Sequence, residues 1–153
     1  MKGGATIRRV LRRDSGSGMI EYALSVLLFL TMVFSAIDFS FLLFTKLTLQ
    51  NAARQAGRYA ITGQSMTGLS RYASILSTVQ TYSLGRATSN NTTVCSASLG
   101  CGSGGGPQDT VTITITYPYK FITPFVAPFF KNGSYTIVVS TTFKNEPFPP
   151  SET

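Results

Sequence analysis

Sixteen consecutive residues, Tyr22 to Ile37, carry no charge and are dominated by Leu, Phe, Val, Ile, Met and Ala. Counted outward, Met19 to Phe44 makes 26 residues interrupted only by Glu21 and Asp38. A helix rises about 1.5 Å per residue, so about 20 residues cross the roughly 30 Å hydrocarbon core of a bilayer, and this run is long enough with tilt. The competing reading is a buried core helix, but the 108 residues after position 45 are too few to enclose a helix that is apolar on every face. A secretory signal peptide fits less well. Asp14 and Glu21 would fall in its n-region, and Val33-Phe34-Ser35 departs from the small-residue cleavage pattern. Residues 17–45 are therefore read as a retained transmembrane helix.

The 153 residues leave room for about one ordinary domain beside such a helix. The formal net charge of +7 would suit a nucleic-acid binder, but its distribution does not. Lys2, Arg8, Arg9, Arg12 and Arg13 supply five of the thirteen basic residues. Without residues 1–16 the balance is eight basic against five acidic, or +3. The basicity is mostly a property of a leader over residues 1–16, and no nucleic-acid partner is expected. Arg8, Arg9, Arg12 and Arg13 form a compact group before the span, against Lys46, Arg54 and Arg58 after it. The positive-inside rule then places the N-terminus in the cytoplasm and residues 46–153 outside.

The outer part reads as α+β. The helix is expected to continue past Lys46, because residues 47–60 contain no Pro and Leu49, Ala52, Ala53, Ala56 and Ala60 form a narrow face of small residues. Arg54 and Arg58, one turn apart, mark a solvated side. Gly63 to Gly68 breaks the helix, and a second one follows with Leu69, Tyr72, Ala73, Leu76 and Val79 on one side and Gly85 as terminator. Residues 86–109 read as a polar, Gly-rich loop. Thr110 to Tyr117 alternates strictly, a strand with Val111, Ile113, Ile115 and Tyr117 inward, and Tyr135 to Phe143 is a second strand after an Asn132-Gly133 turn. Pro118, Pro124 and Pro128 leave room for only a short helix near residues 122–131. Nine of the eighteen aromatic residues fall within residues 117–148. They are expected to form this small domain's core, the other reading being an exposed patch for a partner. The tail Glu146-Pro147-Phe148-Pro149-Pro150 is expected to fray.

Little here suggests chemistry. With no His, the chain alone builds no Ser-His-Asp triad, Cys-His pair or His-ligated metal. The outer part offers only Asp109, Glu146 and Glu152 as acids. Gly102 to Gly106 lacks the Lys-Ser/Thr and helix that would make a phosphate loop. Cys95 and Cys101 lack the further ligands a metal site requires, and outside the cytoplasm a disulfide between them is favoured. No catalysis, cofactor or metal is expected.

The junction before the apolar run reads Arg12-Arg13-Asp14-Ser15-Gly16-Ser17-Gly18-Met19-Ile20-Glu21-Tyr22. A charge at the apolar end of a helix needs a partner or the headgroup region. Cutting after Gly16 would make Ser17 the first residue and Glu21 the fifth, and would create an α-amino group to pair with Glu21 of a neighbouring subunit. The plainer reading puts Glu21 at the lipid headgroups, where a helix N-terminus favours a negative charge. This junction resembles the processing site of Flp-type prepilins, a branch of the type IV pilins. With Glu21-Tyr22-Ala23-Leu24, Asp38-Phe39 and Leu49-Gln50-Asn51-Ala52-Ala53-Arg54, residues 16–60 resemble the TadE-like family, pseudopilins of the tight-adherence (Tad, or Flp) pilus. Members commonly carry a proline early in the apolar run, where this chain has Leu27.

The resemblance implies a pilin-like minor pseudopilin, cut between Gly16 and Ser17 by a prepilin peptidase and packed against other subunits through Glu21, Tyr22 and Asp38. It also implies a bacterial inner-membrane location or a place in the pilus, a role in adhesion and biofilm formation, and a set of partners. These are the inner-membrane assembly platform, the major Flp pilin and sister pseudopilins. Asp38 itself reads either as an interfacial carboxyl with no partner or as a subunit contact, with Lys46 two turns on as one candidate. The alternative function is a single-pass, membrane-anchored binding module whose helix is never cut.

Overall fold

The structure, a computed structural model, describes residues 14–148; the basic residues of the leader, Pro149, Pro150 and Glu152 lie outside the described residues. The described elements are a long helix α1 (Asp14–Ile61), a helix α2 (Arg71–Tyr82), and strands β1 (Thr92–Ser96), β2 (Gly100–Cys101), β3 (Thr110–Lys120) and β4 (Ser134–Lys144). Two short 3-10 turns, Ala127–Phe129 and Lys131–Gly133, lie between β3 and β4. The chain is thus α+β, as its sequence suggests.

Helix α1 has 48 residues, about 72 Å at the usual rise. It contains no proline and passes through Leu27 unbroken. Its outer half supplies one wall of the core: Leu49, Ala52, Ala53, Ala56 and Ala60 are fully buried. Small side chains let α2 and the sheet approach α1 closely. At Gly57 a Cβ would come within 3.0 Å of the Phe143 ring. The helix ends where Gly63 takes a positive φ and donates its N–H to the Ala60 carbonyl at 3.2 Å.

Ser70 caps α2, its hydroxyl accepting the Ala73 N–H at 3.2 Å. The buried side of α2 is Arg71, Ser74, Ile75, Thr78 and Val79; of the expected face, Val79 is buried, Tyr72 and Leu76 pack half-buried on the core, and Leu69 is exposed. Polar residues can occupy that side because Ser74 and Thr78 return their hydroxyls to the carbonyls four residues back, each at 2.9 Å.

The four strands form one antiparallel sheet in the order β2-β1-β3-β4. β3 and β4 pair over their whole length, from Thr110 opposite Lys144 to Lys120 opposite Ser134. Val111, Ile113 and Ile115 are buried as the alternation predicts, with Tyr117 half-buried and Tyr119 buried beyond it. β3 runs three residues past the expected end. Its Pro118 is tolerated because pairing with β1 stops at Thr92 opposite Ile115, so the strand there has one neighbour.

Two further expectations are corrected. The segment read as loop over 86–109 contains β1 and β2, and the bonded Cys95–Cys101 disulfide links paired residues across them. The tail residues 146–148 are docked. The Glu146 N–H reaches the Ile61 carbonyl at 3.0 Å, and the Phe148 ring fills the space beside Gly63 and stacks 4.2 Å from the Arg71 guanidinium.

Candidate functional site

Two parts of α1 differ sharply in surroundings. From Met19 to about Phe34 its large apolar side chains stand exposed, Met19, Ile20, Tyr22, Leu24 and Leu28 among them. From Leu49 onward the same helix is domain core. The exposed part is long and apolar enough to cross a membrane. Apolar surface on this scale is not left to water in a folded chain; it marks a membrane span or an interface.

The expected processing residues, Gly16 and Ser17, lie in the first turns of α1, and both are exposed. Nothing stands within 4 Å of the Cβ position at Gly16. Glu21 and Tyr22 are exposed one turn further on. These four residues occupy one short stretch at the start of the helix. Asp38 lies apart from them, seventeen residues along, about 25 Å away.

Asp38 is the site residue whose surroundings sequence reading misses. It is 1% exposed and its carboxyl is held by its own chain. The N–H of Ile122 donates to Oδ1 at 3.0 Å and the N–H of Thr123 to Oδ2 at 3.1 Å, and the Thr123 hydroxyl donates to Oδ2 as well. The Tyr119 hydroxyl closes the arrangement at 3.4 Å from the Asp38 carbonyl. Burial first, and then the nearby Asp38 and Tyr117, push that phenol above its ordinary pKa, which keeps it a donor. Asp38 is therefore not partnerless: its own chain supplies the donors. It fastens the β3–β4 connection to the helix.

That attachment explains why the aromatic cluster divides. Tyr117, Tyr119, Phe121 and Phe143 pack on the core, as expected. Beyond Thr123 the chain runs beside α1 instead of over the sheet, so Phe125, Phe129, Phe130 and Tyr135 remain exposed. With Asp38, Leu42 and Lys46 they border a groove of about 670 Å³ between α1 and the connection.

Two other clusters hold the outer domain together. Arg71, buried on α2, donates to the carbonyls of Gly105 and, at 2.6 Å, of Ala60, which joins the end of α1 to the Gly-rich segment. Asp109 accepts the hydroxyls of Ser96 and of Ser98, the latter at 2.6 Å, and the Thr110 N–H at 2.8 Å. Ser96 chiefly, then Ser98, holds its carboxyl below the ordinary carboxylate value. Neither cluster resembles a reaction centre. Among the described residues no three His, Cys, Asp or Glu side chains gather as metal ligands would.

Residues 16–58 match the family model described as TadE-like protein. This bears out the resemblance drawn from the junction and helix motifs, over the start of α1, its exposed run, Asp38 and the first turns of the core face. No curated protein and no solved structure matches the chain.

Proposed function

We propose, from a TadE-like segment that continues as one helix into the outer domain, that the chain is a single-pass minor pseudopilin of a tight-adherence pilus. In this reading the exposed run of α1 sits in the bacterial inner membrane, the N-terminus is cytoplasmic, and residues 46–153 are periplasmic or extracellular. A prepilin peptidase cuts between Gly16 and Ser17. The freed helix then packs against other pseudopilins and the major pilin, with the assembly platform as its membrane partner. Glu21 sets the stagger by pairing with the new α-amino group of a neighbour, since a carboxyl that enters an apolar bundle needs a counter-charge. Tyr22 packs beside it. The function asks for no active site in this chain.

The observation that carries the proposal is the division of α1 into an exposed apolar part and a core-forming part, within a segment that matches the TadE-like model. A tether needs only the first part. An assembly subunit needs both, because force or register applied to the span must reach the folded domain. Exposed Gly16 and Ser17 also suit a peptidase, which has to reach the bond it cuts.

The test is the N-terminal residue of the protein recovered from membranes of a host with its own prepilin peptidase. Ser17 as first residue, lost on Gly16→Leu substitution, is the expected result, together with the protein's appearance in sheared pili. Met1 retained in the wild-type protein would overturn it in favour of a membrane-anchored binding module.

A further inference from the structure

The connection between β3 and β4 is attached to α1 at an unexpected height. The Phe125 ring stacks on Phe34, with centroids 6.0 Å apart and planes within 8°, and Asp38 binds the backbone at Ile122 and Thr123. Counted from Glu21 at the cytoplasmic edge, Phe34 lies about 20 Å and Asp38 about 25 Å along the helix. A hydrocarbon layer of roughly 30 Å that begins at Glu21 ends near residue 41. Whatever is packed on Phe34 and Asp38 therefore lies inside the outer edge of that layer.

The connection is built for such a place. Ile122 is 67% exposed, Phe125 40% and Phe129 85%, so its apolar side chains point away from the domain. Irregular backbone is tolerated at membrane depth only when its polar groups are satisfied. Here the N–H groups of Ile122 and Thr123 bond to Asp38. Those of Phe121, Ala127, Phe129, Phe130 and Gly133 bond to nearby carbonyls and Pro124 and Pro128 have none, so most amides of the connection are satisfied, those of Phe125 and Val126 not among them. Apart from Asp38, the charges beside the connection are all of one sign. Lys120 and Lys131 bracket the connection, Lys46 stands on the groove two turns beyond Asp38, and no acidic residue occurs from Thr110 to Asn145. Apolar side chains flanked by lysines match acyl chains beside anionic headgroups.

We propose that the β3–β4 connection is a second membrane contact, with Ile122, Phe125 and Phe129 seated among the outer-leaflet acyl chains and Lys46, Lys120 and Lys131 on anionic lipid headgroups. The contact rests on the single-pass reading of α1. It gives the outer domain a fixed face toward the bilayer while the protein resides there.

The chain has no Trp, so one introduced Trp reports a single position. Leu28→Trp, Phe129→Trp and Leu99→Trp mark the span, the connection and the far end of the sheet, all at exposed side chains. The full-length proteins are placed in nanodiscs of phosphatidylcholine and phosphatidylglycerol, with acyl-brominated lipid as one quencher and acrylamide as the other. Expected are blue-shifted emission and loss of fluorescence to brominated lipid for Leu28→Trp and Phe129→Trp, and loss to acrylamide alone for Leu99→Trp. Replacing Lys120 and Lys131 by Ser in the Phe129→Trp protein should reduce lipid quenching in step with the phosphatidylglycerol content. Should the Phe129→Trp protein behave like Leu99→Trp, the proposal is overturned. Protection from both quenchers overturns it too and assigns the patch to a protein, such as a second copy. Failure of brominated lipid to quench Leu28→Trp would instead remove the spanning helix, and the inference with it.

Discussion

Replacing Asp38 by Ala should release the β3–β4 connection from α1 while the sheet stays folded. The substitution strands the N–H groups of Ile122 and Thr123 and the Thr123 hydroxyl, all part-buried. A buried donor left without a partner costs about 1–3 kcal/mol. With both amides at the low end of that range, the attached state loses about 2 kcal/mol relative to the detached one. At about 1.4 kcal/mol per factor of ten, hydrogen exchange at these two amides should rise about 30-fold. Asp38→Asn keeps one acceptor oxygen and turns an amide toward the other donor, so about 1 kcal/mol and a roughly fivefold rise are expected. The assay is amide exchange of the full-length protein in nanodiscs, read at Ile122 and Thr123 and, as reference, within β3 and β4. Wild-type exchange at both amides in the Ala variant would refute the clamp. Equal acceleration throughout β3 and β4 would refute its locality, and would mean that Asp38 holds the whole domain on the helix.

Arg71→Met removes two charge-assisted hydrogen bonds and leaves the carbonyls of Ala60 and Gly105 without that donor; a loss of about 3 kcal/mol is expected, measured by urea unfolding of the outer domain. Arg71→Lys should recover only part of it, since an ammonium cannot spread over both carbonyls as the planar guanidinium does. Cys95→Ser with Cys101→Ser opens a seven-residue loop and should cost about 2 kcal/mol by chain entropy, read as a lower Tm that reductant no longer changes. Asp109 has a depressed folded pKa, so its hydrogen bonds stabilise the fold above the ordinary Asp value of 3.8 and that contribution disappears as pH falls through the folded value. The stability gap between wild type and Asp109→Asn should therefore narrow on acidification from about pH 5 to about pH 2, and a gap that widens would contradict the assignment.

The core face of α1 was legible because Leu49, Ala52, Ala53, Ala56 and Ala60 repeat with the helical period, and β3 because its β-branched residues alternate for most of its length. The apolar run of α1 was legible for a similar reason: a local pattern carries it. The face of α2 was read only in part: Tyr72, Leu76 and Val79 do pack on the core, but Ser74 and Thr78 look solvent-facing until their hydroxyls are seen bonded within the helix. β1 escaped notice because Val94 is its only large aliphatic residue and its pairing partner, β3, lies far along the chain. The Asp38 clamp spans 84 and 85 residues of sequence, and the Phe148 dock depends on a buried Arg71 and on space at Gly63. No local period encodes contacts of that kind.

Because α1 passes without interruption from the exposed run into the core, the exposed apolar half and the sheet behave like two marks on one screw. Each residue added between them turns one mark by about 100° relative to the other. A single insertion near Met32 would aim Glu21 and Tyr22 in a new direction while changing their height by only about 1.5 Å. Seven inserted residues would return them to within about 20° of the original bearing, displaced by about two turns. The azimuth of the outer domain relative to Glu21 is thus set by the number of residues in the helix between them.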